Sequence, residues 1–164
     1  MKERVMDRYQ RLMIIHGLLV IAVAMLAGFM LIFNLIGGFE LWPGKIIKFD
    51  VYGTEAGWVR AHSGGIMNGI LVIVIALTLP KLKLGAQSFA WLAWGFIYIA
   101  WSFTLFYWIG NASNNRSLTV GGNRLGEADW LSIIGILPGL PSVVLVLILL
   151  FIGVKGALAS KGED

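Results

Sequence analysis

Trp58-Val-Arg60-Ala-His62-Ser-Gly-Gly-Ile-Met-Asn68-Gly-Ile-Leu-Val-Ile-Val-Ile-Ala-Leu-Thr-Leu-Pro80 carries a polar loop straight into an apolar run. A helix rises about 1.5 Å per residue, so about 20 residues cross a hydrocarbon core of roughly 30 Å. The run from Ala61 to Pro80 has that length. Hydrocarbon cannot hydrogen-bond the imidazole of His62 or the amide of Asn68, so each must meet a protein partner or line a polar cavity. The functional reading turns on what His62 touches.

Three further runs of the same kind flank this one, at about Leu12 to Phe39, Leu84 to Gly110 and Trp130 to Val154. The chain is 58% hydrophobic and 13% charged, with a mean hydropathy of +0.81, outside the range of a soluble domain. The expectation is an all-α integral membrane four-helix bundle. It forms a single domain over residues 1–164, with spans near 12–36, 62–80, 88–110 and 130–156. The basic start resembles a signal peptide, and Ala22-Val-Ala24 offers a small-x-small pattern. The apolar run nevertheless continues to Ile36, which predicts a retained first span.

An even number of spans puts both termini on one side. Lys2, Arg4, Arg8, Arg11, Lys81, Lys83, Lys155 and Lys161 share that side, against Lys45, Lys48, Arg60, Arg116 and Arg124 opposite. The positive-inside rule then predicts cytoplasmic termini, in a bacterial inner membrane. The pI near 9.6 does not imply nucleic acid, because the cations are spread over every loop and suit lipid headgroups. With no cysteine, disulfides, thiolate ligation and a cysteine nucleophile are excluded. Asn111-Ala-Ser and Asn115-Arg-Ser match a glycosylation pattern too short to carry weight.

The long loops, Gly37 to Arg60 and Asn111 to Asp129, lie on the non-cytoplasmic side. Turns are expected at Trp42-Pro-Gly and Asp50-Val-Tyr-Gly-Thr around a short extended piece, Ile46-Ile-Lys-Phe. Trp42, Trp58, Trp108 and Trp130 are expected to form an aromatic belt. Functional side chains should gather at that boundary: Asn34 closing helix one, His62 and Asn68 in the first turns of helix two, Tyr107 and Asn111 closing helix three. Pro138 and Pro141 should kink helix four and free backbone carbonyls.

His62 is either an interfacial histidine bonded to a loop or an axial ligand to haem iron, for which neutral imidazole is suited. Zinc is disfavoured by two histidines and no cysteine. His16 lies near the other end of its span and reads as a structural or headgroup-contacting residue. Asn68 is six residues after His62, about 240° around the helix, so the two do not share a face. One could serve its own chain and the other a neighbour, or Asn68 could be polar glue between helices. Tyr107 is a belt residue or a phenol at a pocket mouth, able to donate to a substrate oxygen.

Taken together, these residues resemble the styrene oxide isomerase family, small four-helix integral membrane proteins. The resemblance is carried by His16-Gly, Asn34-Leu-Ile-Gly-Gly-Phe-Glu40, Pro43-Gly and Gly57-Trp-Val-Arg-Ala-His-Ser-Gly64. Asn68-Gly69, Phe106-Tyr107 and Asn115-Arg-Ser-Leu-Thr119 continue it. It implies a homotrimer with ferric haem b between protomers and His62 on the iron. It also implies Asn68 and Tyr107 in the pocket, and conversion of a small apolar aryl epoxide to an aldehyde by Meinwald rearrangement. The implied chemistry uses the haem as a Lewis acid, with Tyr107 and Asn68 positioning the epoxide. Arg60, Arg116 or Arg124 are candidates for the haem propionates, from charge and side of the membrane.

One position departs from the family. Where the family carries an aspartate eight residues before the tyrosine, this chain has Ile99, and no acid occurs between Glu55 and Glu127. That keeps open a divergent isomerase with other substrates and a membrane haem protein for electron transfer or sensing; a scaffold in which His62 is merely satisfied is a third alternative.

Overall fold

The computed structural model describes residues 2–160, with side chains from Arg8 onward. Lys161 and the side chains of Lys2 and Arg4, on which part of the expected charge asymmetry rests, lie outside the described residues. The chain forms four long helices: α1 (Lys2–Ile36), α2 (Glu55–Thr78), α3 (Ala86–Ala112) and α4 (Trp130–Ala159). A hairpin of β1 (Gly38–Trp42) and β2 (Lys45–Lys48) joins α1 to α2, and one 3-10 turn (Leu79–Lys81) follows α2. All four helices are long and apolar enough to cross a membrane. The fold is an all-α integral membrane bundle.

α1 packs mainly on α2, and α3 mainly on α4. The first pairing is close because both helices are small where they cross. A Cβ on Gly69 would lie 2.6 Å from the carbonyl oxygen of Gly17, and one on Gly17 would lie 2.8 Å from that of Gly69. Without a hydrophobic drive inside a bilayer, such backbone proximity is what holds helices together. α3 is the central element. Leu92, Phe96, Ile99 and Ala100 are all at most 3% exposed and share one core with Met13 and Val20 of α1, Val72 and Ala76 of α2, and Leu149 of α4.

Helix two begins at Glu55, not near His62. Thr54 sits in extended geometry (φ −120°, ψ 154°) and its hydroxyl accepts from the Gly57 amide at 3.1 Å, satisfying one of the free N–H groups of the first turn. His62 and Asn68 are therefore two to four turns inside the helix. α1 likewise extends past its apolar run to Lys2. The extended piece expected at Ile46–Phe49 is strand Lys45–Lys48. It is paired antiparallel with Gly38–Trp42 in the register Phe39↔Ile47 and Glu40↔Ile46. Pro43-Gly44 forms the tip, where Glu40 Oε1 accepts the Gly44 amide at 2.7 Å.

α4 starts on a reciprocal cap. The Ser132 amide donates to Asp129 Oδ1 at 2.7 Å and the Asp129 amide donates to Ser132 Oγ at 3.1 Å. The Ser132 hydroxyl and amide hold the Asp129 carboxyl below its usual pKa. Pro138 and Pro141 lie inside an uninterrupted helix. The side-chain donors around them meet at the Pro138 carbonyl, which accepts from Tyr98, Ser102 and Ser142. Those hydroxyls tie α3 to α4 inside the apolar layer.

Candidate functional site

α2 carries the site, with different groups on its two edges. On the α1 edge, His62 Nδ1 lies 2.9 Å from the carbonyl oxygen of Ala24. A carbonyl only accepts, so Nδ1 carries the proton in the neutral ring and Nε2 keeps its lone pair. Nε2 has no hydrogen-bond partner among the described residues. The imidazole lines an open groove of about 300 Å³ with Met25, Gly28, Phe29, Leu31 and Ile32, all from α1. Apart from the histidine, that lining is hydrocarbon, glycine and the Met25 thioether.

The opposite edge faces α3. Gly64 lies about 200° around α2 from His62. A Cβ there would come within 2.7 Å of Tyr107 Cε2 and 3.2 Å of its hydroxyl. Tyr107 is stacked on Phe103 with ring centroids 6.1 Å apart. Asn68 follows one turn after Gly64 along this edge, and its Nδ2 is buried with no hydrogen-bond partner among the described residues. A buried amide N–H left unpaired costs about 1–3 kcal/mol, so this group calls for an explanation that packing does not supply.

The same edge carries the cations. Arg60 and Arg116 line one water-sized cavity with Tyr107, Asn111 and Gly57. Arg124 is exposed and is not part of that cavity. Arg116 and Ser117 hold left-handed backbone conformations (φ 59° and 52°), made possible by Asn115. That side chain is fully buried, donates to the carbonyls of Thr119 and Gly121 at 2.9 Å, and accepts the Ser117 amide at 3.0 Å. Asn115 therefore builds the loop that presents Arg116, and its burial removes it as a glycosylation acceptor.

The structure thus brings Tyr107, Arg60 and Arg116 together, puts Asn68 along the same edge, and sets His62 apart across α2. The helical arithmetic separating His62 from Asn68 holds. Trp58 departs from expectation. It is fully buried, packs edge-on against Trp108 and Tyr52 at 5.1 and 5.0 Å, and donates to the Tyr52 carbonyl at 2.9 Å. Trp58 is core, because the early start of α2 draws it into the bundle; Trp42 and Trp130, 73% and 67% exposed, keep the belt character. His16 accepts from Trp101 Nε1 at 3.0 Å and ties α1 to α3.

Asn111, expected at the boundary as the close of helix three, is a positioning residue whose partners the sequence did not reveal. Its Oδ1 accepts from the Thr54 amide at 2.9 Å and the Thr54 hydroxyl at 3.3 Å, locking the start of α2 to the end of α3. A Cβ on Gly53 or Gly57 would collide with its amide, so two glycines admit it. The Gly53-Thr-Glu-Ala-Gly57 spacing was the available signal. Ile99, 3% exposed, sits wholly among apolar side chains.

Comparison with known proteins gives one consistent result. A family model described as styrene oxide isomerase matches residues 9–158. A curated styrene-oxide isomerase from Pseudomonas fluorescens is 39% identical over 130 residues, covering 79% of this chain and 77% of the relative.

Proposed function

The chain belongs to the styrene oxide isomerase family, and on that premise we propose that it is a membrane epoxide isomerase that converts small aryl epoxides to aldehydes with ferric haem b as Lewis acid. The observation that carries this reading is the bond from His62 Nδ1 to the Ala24 carbonyl. In the neutral ring this bond leaves the Nε2 lone pair free, as an iron ligand requires. The donor set fits haem b: one imidazole on a largely apolar groove, and two guanidiniums for propionates on the opposite edge of α2. Because His62 and Tyr107 occupy opposite edges of α2, the reading further places the haem between copies of the chain, in a trimer. There Tyr107, Asn68, Arg60 and Arg116 of one protomer face the His62 groove of its partner. The protein would lie in a bacterial inner membrane with its termini cytoplasmic and lipid around α1 and α4.

When bound, ferric haem with a single protein ligand supplies an electron-pair acceptor for the epoxide oxygen. The chain does the rest. Tyr107 donates its O–H, and Asn68 the N–H that has no partner among the described residues, to the oxygen as negative charge grows on it. The two donors fix which C–O bond of the epoxide opens, the benzylic one, where the aryl ring spreads the positive charge. A hydride then moves from the neighbouring carbon to the benzylic carbon as the oxygen lone pair closes the C=O bond. Atoms and electrons balance within the substrate, and no proton enters or leaves. Apolar walls exclude the water that would give a diol.

The test is styrene oxide turnover by the purified haem-loaded protein, followed as phenylacetaldehyde. Aldehyde that vanishes in Tyr107→Phe and Asn68→Ala, with a Soret band that vanishes in His62→Ala, supports the reading. Ile99 favours one second reading, a membrane haem protein of electron transfer or sensing, because among the described residues no carboxylate is buried near α3 to orient a partner or balance charge. A full haem complement without aldehyde from any aryl epoxide would select it.

A further inference from the structure

Gly28 has no backbone reason to be glycine. It lies inside α1 and is absent from the positions with positive φ, and glycine is the poorest helix former after proline. Its neighbour across the helix pair explains it. A Cβ at Gly28 would sit 2.8 Å from His62 Nδ1 and 2.9 Å from Cε1, closer than real Cβ contacts allow. Ala24, one turn earlier on the same face, offers the carbonyl that takes the Nδ1 proton. That oxygen has two lone pairs, so it can serve the α1 ladder and the imidazole together.

We propose that Ala24 and Gly28 form a seat on α1 that fixes the His62 ring as the Nδ1–H tautomer and aims Nε2 alone at the groove. The seat deepens the reading of His62 as the haem ligand and rests on it. The Ala24 carbonyl draws the Nδ1 proton, raising electron density at Nε2 and strengthening its donation to a metal. Gly28 supplies the volume the ring needs to make that bond. Gly28 is therefore a positioning residue, acting on the reaction only through His62. The two histidines are expected to be opposite tautomers. His16 accepts through Nδ1 from Trp101 and so carries its proton on Nε2.

The test compares Gly28→Ala with Gly95→Ala. The second variant drives a Cβ into Leu149 at the α3–α4 contact, a packing clash that touches neither His62 nor its Ala24 and Gly28 neighbours. Gly28→Ala should hold haem about tenfold or more weakly, the usual effect of losing a ligand's outer partner. Its ferric/ferrous equilibrium should move about tenfold toward ferrous, ~59 mV for one electron. Gly95→Ala should lower thermal stability and leave spectrum and potential unchanged. In parallel, ¹⁵N-histidine spectra of the haem-free full-length chain in detergent, with helicity matched by circular dichroism, should show Nδ1–H for His62 and Nε2–H for His16. Signals are assigned by their loss in His62→Ala.

The outcomes separate. A His62-dependent Soret band with an unaltered potential in Gly28→Ala overturns the seat and spares the ligand reading. Absence of any His62-dependent Soret band in the parent protein overturns the ligand reading. An Nε2–H signal for His62 in the folded haem-free chain overturns the seat whatever the haem does.

Discussion

Gly64→Ala should damage catalysis while sparing the fold. The added methyl would start 2.7 Å from Tyr107 Cε2, and a relaxed carbon–carbon contact needs roughly 3.5 Å, so the ring must retreat by about 0.8 Å. Phe103 stacks on that ring and limits sideways escape, so the displacement reaches the hydroxyl. A misplacement near 1 Å can lower a rate about 100-fold, or ~2.7 kcal/mol of transition-state stabilisation. In compensation, alanine is better than glycine in a helix by about 1 kcal/mol, so the melting temperature should change little. The assay is kcat for styrene oxide beside thermal unfolding. A double-mutant cycle with Tyr107→Phe completes it, because both changes act through one hydroxyl and their effects should fall well short of additive. Wild-type kcat in Gly64→Ala, or full additivity in the cycle, would refute the placement of Tyr107.

Asn68→Leu removes a buried N–H that has no partner, relieving a cost of about 1–3 kcal/mol; calorimetry should show an equal or higher melting temperature while aldehyde formation is lost. Asn111→Ala forfeits two hydrogen bonds to Thr54, a loss of about 1–3 kcal/mol offset in part by removal of its own unpartnered Nδ2, and hydrogen exchange should accelerate at residues 54–58 and not in α4. Asp129, whose carboxyl is held below its usual pKa by Ser132, contributes stability that is present above the unfolded value of 3.8 and lost as pH falls through the lower folded value. Thermal scans through that acid range should show this decline in the parent and its absence in Asp129→Ala.

The spans were legible because an apolar run of bilayer length has few other uses. What escaped reading was set by contacts distant in sequence. The start of α2 was read as loop because Gly53, Gly57 and Trp58 look like turn and belt residues until Asn111 is packed between the glycines. The partner strand of the hairpin was hidden in residues 38–42, which carry no alternation of their own. The separation of His62 from Asn68 was available from helical geometry alone. Which neighbour each edge met was not, since Gly28 and Tyr107 reach α2 from helices whose order around it no periodicity encodes. Asn115-Arg-Ser-Leu-Thr119, read for its resemblance, is loop architecture that presents Arg116.

The division of labour across α2 has a genetic consequence. If one protomer lends the imidazole and its partner the phenol, two dead alleles can rescue each other. His62→Ala retains an intact Tyr107 edge, Tyr107→Phe retains an intact His62 groove, and a mixed ring of closed symmetry joins one to the other. With equal expression and random mixing, about one quarter of the interfaces would be whole. Activity would then be a property of the seam, inherited from two parents that each have none.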